Sequence, residues 1–167
     1  LLGALLPTAI AAAALLLLTA TWAQAAGMRE IDWLELMPPE DLKALEAMGE
    51  LDHSGGVDLQ SALTSTRTVA AMNGVKGKLP GYVVPVSLDE KGRVTEFFFV
   101  PYFGACIHMP PPPPNQIIFM KPRTPFEVVH PWDAHWAIGT IRVASTQNDL
   151  AQSAYSMDLA RLEIITE

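Results

Sequence analysis

KLPGYVVPVSLDEKGRVTEFFFVPY, from Lys78 to Tyr102, holds two apolar runs rich in Val, Tyr and Phe on either side of a polar turn at Asp89-Glu-Lys-Gly92. β-branched and aromatic runs bounded by turn residues predict a β-hairpin. Pro85 and Pro101 fall inside these runs and are expected at bulges, edges or strand ends, since proline cannot donate to a ladder. Working outward, Asn115–Met120 (NQIIFM) predicts a third strand and Ala134–Val143 (AHWAIGTIRV) a fourth. Ser156–Ile165 (SMDLARLEII) predicts a fifth, and Asn148–Tyr155 a single helical turn before it. Gly81 and Gly139 are expected at strand bends. Five strands with turn signals between them predict a mainly β protein, a small five-stranded OB-like barrel.

Ahead of the strands, Asp32–Met48 reads DWLELMPPEDLKALEAM. Pro38-Pro39 followed by Glu40 and Asp41 is a helix-start signal, and Leu42, Leu45 and Met48 recur at helical spacing. A short helix is expected here, ending near Gly49 and packing Leu42 and Leu45 on the sheet. A weaker helix or irregular stretch is expected before Ala71. The barrel would thus carry one or two short N-terminal helices.

Residues 1–26 contain no charge and centre on an Ala/Leu run, closing on Ala23-Gln-Ala25. The small-x-small exit predicts a signal peptide cleaved after Ala25 or Ala26, and so a periplasmic protein. The alternative is an uncleaved anchor, because Leu1–Trp22 is long enough to span a bilayer, which takes roughly 20 apolar residues. With neither an initiator Met nor a basic leader, the sequence is expected to begin inside a longer precursor. Residues 27–167 form one domain by length. All 11 basic and 18 acidic residues lie there, for a net charge of −7. Such a balance excludes non-specific attraction to nucleic acid and suits cations. The single cysteine, Cys106, excludes an internal disulfide.

Val100–Gln116, VPYFGACIHMPPPPPNQ, is the segment that the barrel pattern leaves unexplained. Cys106 and His108 stand two apart, so on an extended chain both point to one face. Thiolate and imidazole suit zinc or copper, and Met109 adds a soft thioether. His130 and His135, flanking Trp132 and Asp133, are candidates to complete the ligand set; His53 and Met120 are more remote ones, and Asp133 a candidate orienting carboxylate. The competing reading leaves Cys106 packed in the core, as lone cysteines commonly are. Pro110–Pro114 favours polyproline II, a stiff rod on which a partner could dock together with Tyr102, Phe103 and Trp136. A Rieske cluster lacks its second Cys, and a blue-copper site lacks a His where the prolines stand. No metalloprotease, nucleophile-elbow or phosphate-loop motif occurs. A Cys/His nucleophile pair lacks a third orienting group, so no enzyme activity is expected.

The run from Leu79 to Phe119, with its GACIHMPPPPPNQ core at Gly104–Gln116, resembles the family of exported bacterial proteins known as DUF3299. Trp33, Gly81–Pro85, the Trp136–Gly139 strand and Tyr155 extend the resemblance. It implies an OB-like barrel. It also implies an accessory role in zinc or copper supply beside an envelope ABC transporter or a periplasmic binding protein. The residues it touches are Cys106 and His108, with Asn115 and Gln116 as framework.

Overall fold

A computed structural model of the chain describes residues 28–49, 63–105 and 112–166. The expected leader, His53, and the Cys106, His108, Met109, Pro110 and Pro111 positions lie outside the described residues. Five strands are present: β1 (Lys76–Leu88), β2 (Val94–Val100), β3 (Ile118–Met120), β4 (His135–Gln147) and β5 (Gln152–Ile164). They close in the order β1-β2-β3-β5-β4, every neighbour antiparallel except β3 and β5, which run parallel. The OB-like barrel is therefore as expected.

The hairpin turn is held by Asp89, whose Oδ1 accepts the Lys91 and Arg93 amides at 3.0 and 2.9 Å. The Arg93 side chain and amide bonding to Asp89 keep its carboxyl below the ordinary aspartate pKa. Gly92 closes this turn at φ +76°, a conformation that costs other residues strain. Pro85 sits immediately before a register shift in the β1–β2 ladder, and Pro101 follows the last residue of β2. Both prolines thus stand where the ladder needs no amide.

β2 reads as a continuous apolar run because both of its faces are covered. Phe97 and Phe99 point into the barrel with Leu79, Met120, Ile141 and Tyr155. Phe98 and Val100 face outward into a second cluster, capped by Ala105 and Ile117. The segments on either side of residues 106–111 thus lie against the outer face of the hairpin.

Three expectations change. The third strand begins at Ile118, not Asn115, because Pro114–Gln116 forms a 3-10 turn that directs Asn115 and Gln116 into buried hydrogen bonds. The Asn148–Tyr155 segment has no helical turn: the Asn148 side chain accepts the Leu150 and Ala151 amides in a tight loop, and β5 begins at Gln152. The helix α1 (Pro39–Gly49) starts and stops as expected, but Leu42 and Leu45 are half-buried while Asp41 and Ala44 are buried. Before α1, a 3-10 turn at Trp33–Leu36 is closed by a capping box between Asp32 and Glu35. Trp33 stacks on Phe99 at 6.1 Å and its indole N–H donates to the Pro80 carbonyl at 2.7 Å. Much of the weaker stretch expected before Ala71 lies outside the described residues; at its end a 3-10 turn spans Ala70–Met72.

Tyr155 ties this N-terminal layer to the barrel. Its hydroxyl donates to the Leu36 carbonyl at 2.9 Å and accepts the Val69 amide at 2.6 Å. Tyr155→Phe removes both bonds inside the core and is expected to cost about 2 kcal/mol, the scale of leaving buried polar groups unpaired. Chemical denaturation measures it; a loss below about 0.5 kcal/mol would mean that water replaces the hydroxyl.

Candidate functional site

The flanks of the Cys-x-His segment are held firmly on both sides. On the N-terminal side, Gly104 turns the chain at φ +81° and Ala105 is fully buried against Val84, Phe98 and Val100. On the C-terminal side, Pro112 is buried and Pro113 and Pro114 are half-buried. The described end of the proline run is therefore packed into the domain and does not stand out as a free rod. Beyond it, Asn115 is fully buried and Gln116 nearly so.

A buried polar cluster secures this second flank. The Asn115 side-chain amide donates to Asp41 Oδ2 at 2.8 Å and to the Arg67 carbonyl at 3.1 Å. Ser65 donates to the same Asp41 oxygen at 2.6 Å, and the Arg67 guanidinium pairs with Asp41 Oδ1. The Asp41 side chain is 0% exposed, whereas that of Arg67 is 51% exposed. Gln116 reaches the other way, donating to the Trp33 carbonyl at 2.8 Å. A carboxylate taken wholly out of water is costly unless paired and hydrogen-bonded, and here three side chains from two segments satisfy it, Ser65 and Arg67 from one and Asn115 from the other. Asn115 Oδ1 is buried with no partner among the described residues. Sequence reasoning missed Asp41, Ser65 and Arg67. Asp41 reads as an ordinary N-terminal helix acid, and nothing local marks it as buried.

The histidines separate. His130 is exposed and stacks its ring on Trp132, with 4.9 Å between centroids and 9° between planes. His135, at the start of β4, is 7% exposed. Its Nδ1 lies 2.8 Å from the Asp133 carbonyl, which can only accept, so Nδ1 carries the proton and Nε2 the lone pair. Burial holds the imidazole below the ordinary histidine pKa, against the opposing pull of the Asp133 carbonyl and carboxylate. It lines a recess of about 380 Å³ shared with Arg123, Glu127 and Arg161. Of the two guanidinium groups lining it, that of Arg161 is paired with Glu163 at 3.2 Å. Met120 lies at 0% exposure inside the barrel, among the core side chains. Among the described residues, no three His, Cys, Asp or Glu side chains gather into a metal cage.

The aromatics also divide. Tyr102 and Phe103 are both exposed, and Phe103 leans on Tyr82 with centroids 6.1 Å apart. They stand at the entry to the Cys-x-His segment. Trp136 is half-buried on the outside of β4 with the Lys78 ammonium 4.0 Å from its ring centroid, and Lys78 also pairs with Glu30 at 3.5 Å. Its ring is thus already occupied by a cation.

On the β2–β3 face and the β4–β5 loop, where OB folds usually take oligonucleotides or sugars, Lys121 is neutralised by Glu96 at 2.6 Å. Lys121 and Ser87, both bonded to Glu96, keep that carboxyl below its ordinary pKa. Among the described residues no helix is long and apolar enough to cross a membrane.

Comparison with known proteins agrees with this architecture. A crystal structure of a DUF3299 family protein from Pseudomonas aeruginosa PAO1 is similar at 32% identity and a TM-score of 0.65, over 84% of this chain and 98% of that one. No curated protein matches. Residues 33–164, from the capped turn at Trp33 to the last residue of β5, match the family model described as "Protein of unknown function (DUF3299)". The chain therefore belongs to the DUF3299 family.

Proposed function

We propose that this protein is a non-catalytic periplasmic metal-binding accessory protein. Cys106 and His108 take a zinc or copper ion, Met109 or His130 completes the set, and the ion passes to an envelope ABC transporter or its binding protein. The observation that carries this reading is the clamp on both flanks of the Cys-x-His segment. Ala105 is sealed against the hairpin, and Asn115 is bonded to the fully buried Asp41. Anchored ends limit the freedom that a segment between them would lose on binding an ion. His130 is favoured over His135 as a third ligand, because His130 is solvent-exposed and His135 shares its recess with two arginines. An open coordination position would allow transfer, where a closed four-ligand site would be structural. Paired Lys121 on the β2–β3 face and the net charge of −7 speak against nucleic acid as the ligand.

One observation favours a second reading, an envelope interaction module. Tyr102 and Phe103 are exposed shortly ahead of the proline run in sequence, and exposed aromatic side chains can hold a partner.

Elemental analysis of the purified protein after zinc or copper loading tests the proposal. One metal per chain is expected, with Cys106→Ser and His108→Ala each losing it while keeping the wild-type melting curve. A wild type that takes up no metal would leave Cys106 as packing and favour the interaction module.

A further inference from the structure

A second concavity lies away from the Cys-x-His segment. It crosses the outer face of four strands, from Lys76 on β1 over β4 and β5 to Phe119 and Lys121 at the end of β3, with a volume of about 820 Å³. Its floor combines small residues, Gly139 and Thr140 on β4 and Ser156 and Ala160 on β5, with the apolar Ile138, Met157 and Leu159. The lips, by contrast, carry long cations, Lys76 on one side and Lys121 and Arg123 on the other. Among the described residues, Asp158 is the only acid lining the groove, and it is engaged by Arg142 at 2.7 Å. Lys121 pairs with Glu96, but Lys76 and Arg123 have no ion-pair partner among the described residues.

We propose that this groove binds a small organic anion carrying carboxylates at two or more ends. Three features argue for it together. Its volume falls in the range of small-molecule sites, roughly 300–1,000 Å³. It gathers uncompensated cations on a chain whose net charge is −7, so the positive charge is local, not a general property of the surface. And the cations sit on opposite lips above a floor bearing the Thr140 and Ser156 hydroxyls, which suits a ligand charged at both ends with a hydroxylated middle. Arg123 offers the planar fork that holds a carboxylate with two bonds, and Lys76 a point charge for the other end.

Citrate is the probe. Titrated into the isotope-labelled protein at low ionic strength, it is expected to give saturable amide shifts at Lys121, Ser156 and Asp158. Lys76→Glu combined with Arg123→Glu should weaken binding at least tenfold, about 1.4 kcal/mol, with the melting temperature unchanged. Arg142→Gln leaves all three lip cations in place but frees the Asp158 carboxylate to repel the ligand, and should weaken citrate several-fold. No saturable response at millimolar citrate, or equal binding by the double variant, would overturn the proposal. Hexaglutamate binding tenfold tighter than citrate would overturn it too, in favour of an acidic protein partner.

Discussion

Asp41→Ala is expected to lower the unfolding free energy by about 3 kcal/mol, within the range for breaking a buried ion pair. The change deletes one carboxylate but strands several groups. The Ser65 hydroxyl and the Asn115 amide both point at Asp41 Oδ2 from positions without solvent access. Each buried polar group left unpaired costs about 1–3 kcal/mol. Arg67 contributes less, because half of its side chain is already in water and can rehydrate. For a domain of this size the loss corresponds to a fall in melting temperature of roughly 10 °C. Asp41→Asn keeps a side-chain oxygen for Ser65 and Asn115 and should cost about half as much. A loss below about 1 kcal/mol for the alanine variant would show that the cluster does not hold the fold together. The same variant bears on function. If the cluster positions the Cys-x-His flank, metal affinity should fall in Asp41→Ala even at temperatures where the protein remains folded.

Gly139→Ala should cost about 3 kcal/mol, the upper range for forcing an extra carbon into a packed interior. A Cβ at Gly139 would lie 2.4 Å from the Asp158 carbonyl oxygen and within 3.0 Å of the Met157 side chain. Met157 can swing aside, but the carbonyl is backbone on the neighbouring strand β5. The β4–β5 ladder already shifts register between Ile138 and Gly139, so the added carbon would meet the partner strand at an irregular point of the ladder. Opening them there would strain the closure of the whole sheet. Gly92→Ala is the control. Nothing lies within 4 Å of its added carbon, yet its φ is +76°, so it should cost only about 1 kcal/mol, from backbone strain alone. Equal losses in the two variants, read from urea denaturation, would mean that close approach at Gly139 is not what matters.

Metal loading probes the one site on which both readings of function turn. Their types and spacing make Cys106 and His108 a candidate ligand pair. The described residues fix the chain before and after them in sequence: Ala105 is sealed against the hairpin and Asn115 is anchored on Asp41. His135 illustrates what spacing cannot reveal. HPWDAHW puts two histidines five residues apart, yet one stacks in solvent on Trp132 and the other is buried beside Arg123 and Arg161. Those arginines come from the β3–β4 connection and from β5, so their proximity is a product of barrel closure.

What the chain determined by itself was the class of the fold and the location of its elements. Runs such as YVVPV and TEFFFV can be satisfied only as strands, Asp89–Gly92 only as a turn, and Pro38-Pro39-Glu-Asp only as a helix start, because these preferences act over a few residues. Tertiary structure decided which faces were buried and which charges met. Phe98 and Val100 are covered because residues 105 and 117 come to rest on the outside of β2. Asn115 leaves the strand pattern to reach Asp41, 74 positions away in sequence. The groove cations likewise belong to strands that adjoin only in the closed sheet order β1-β2-β3-β5-β4. Local propensity is written in neighbouring residues, whereas burial and electrostatic pairing depend on contacts that exist only once the barrel has closed.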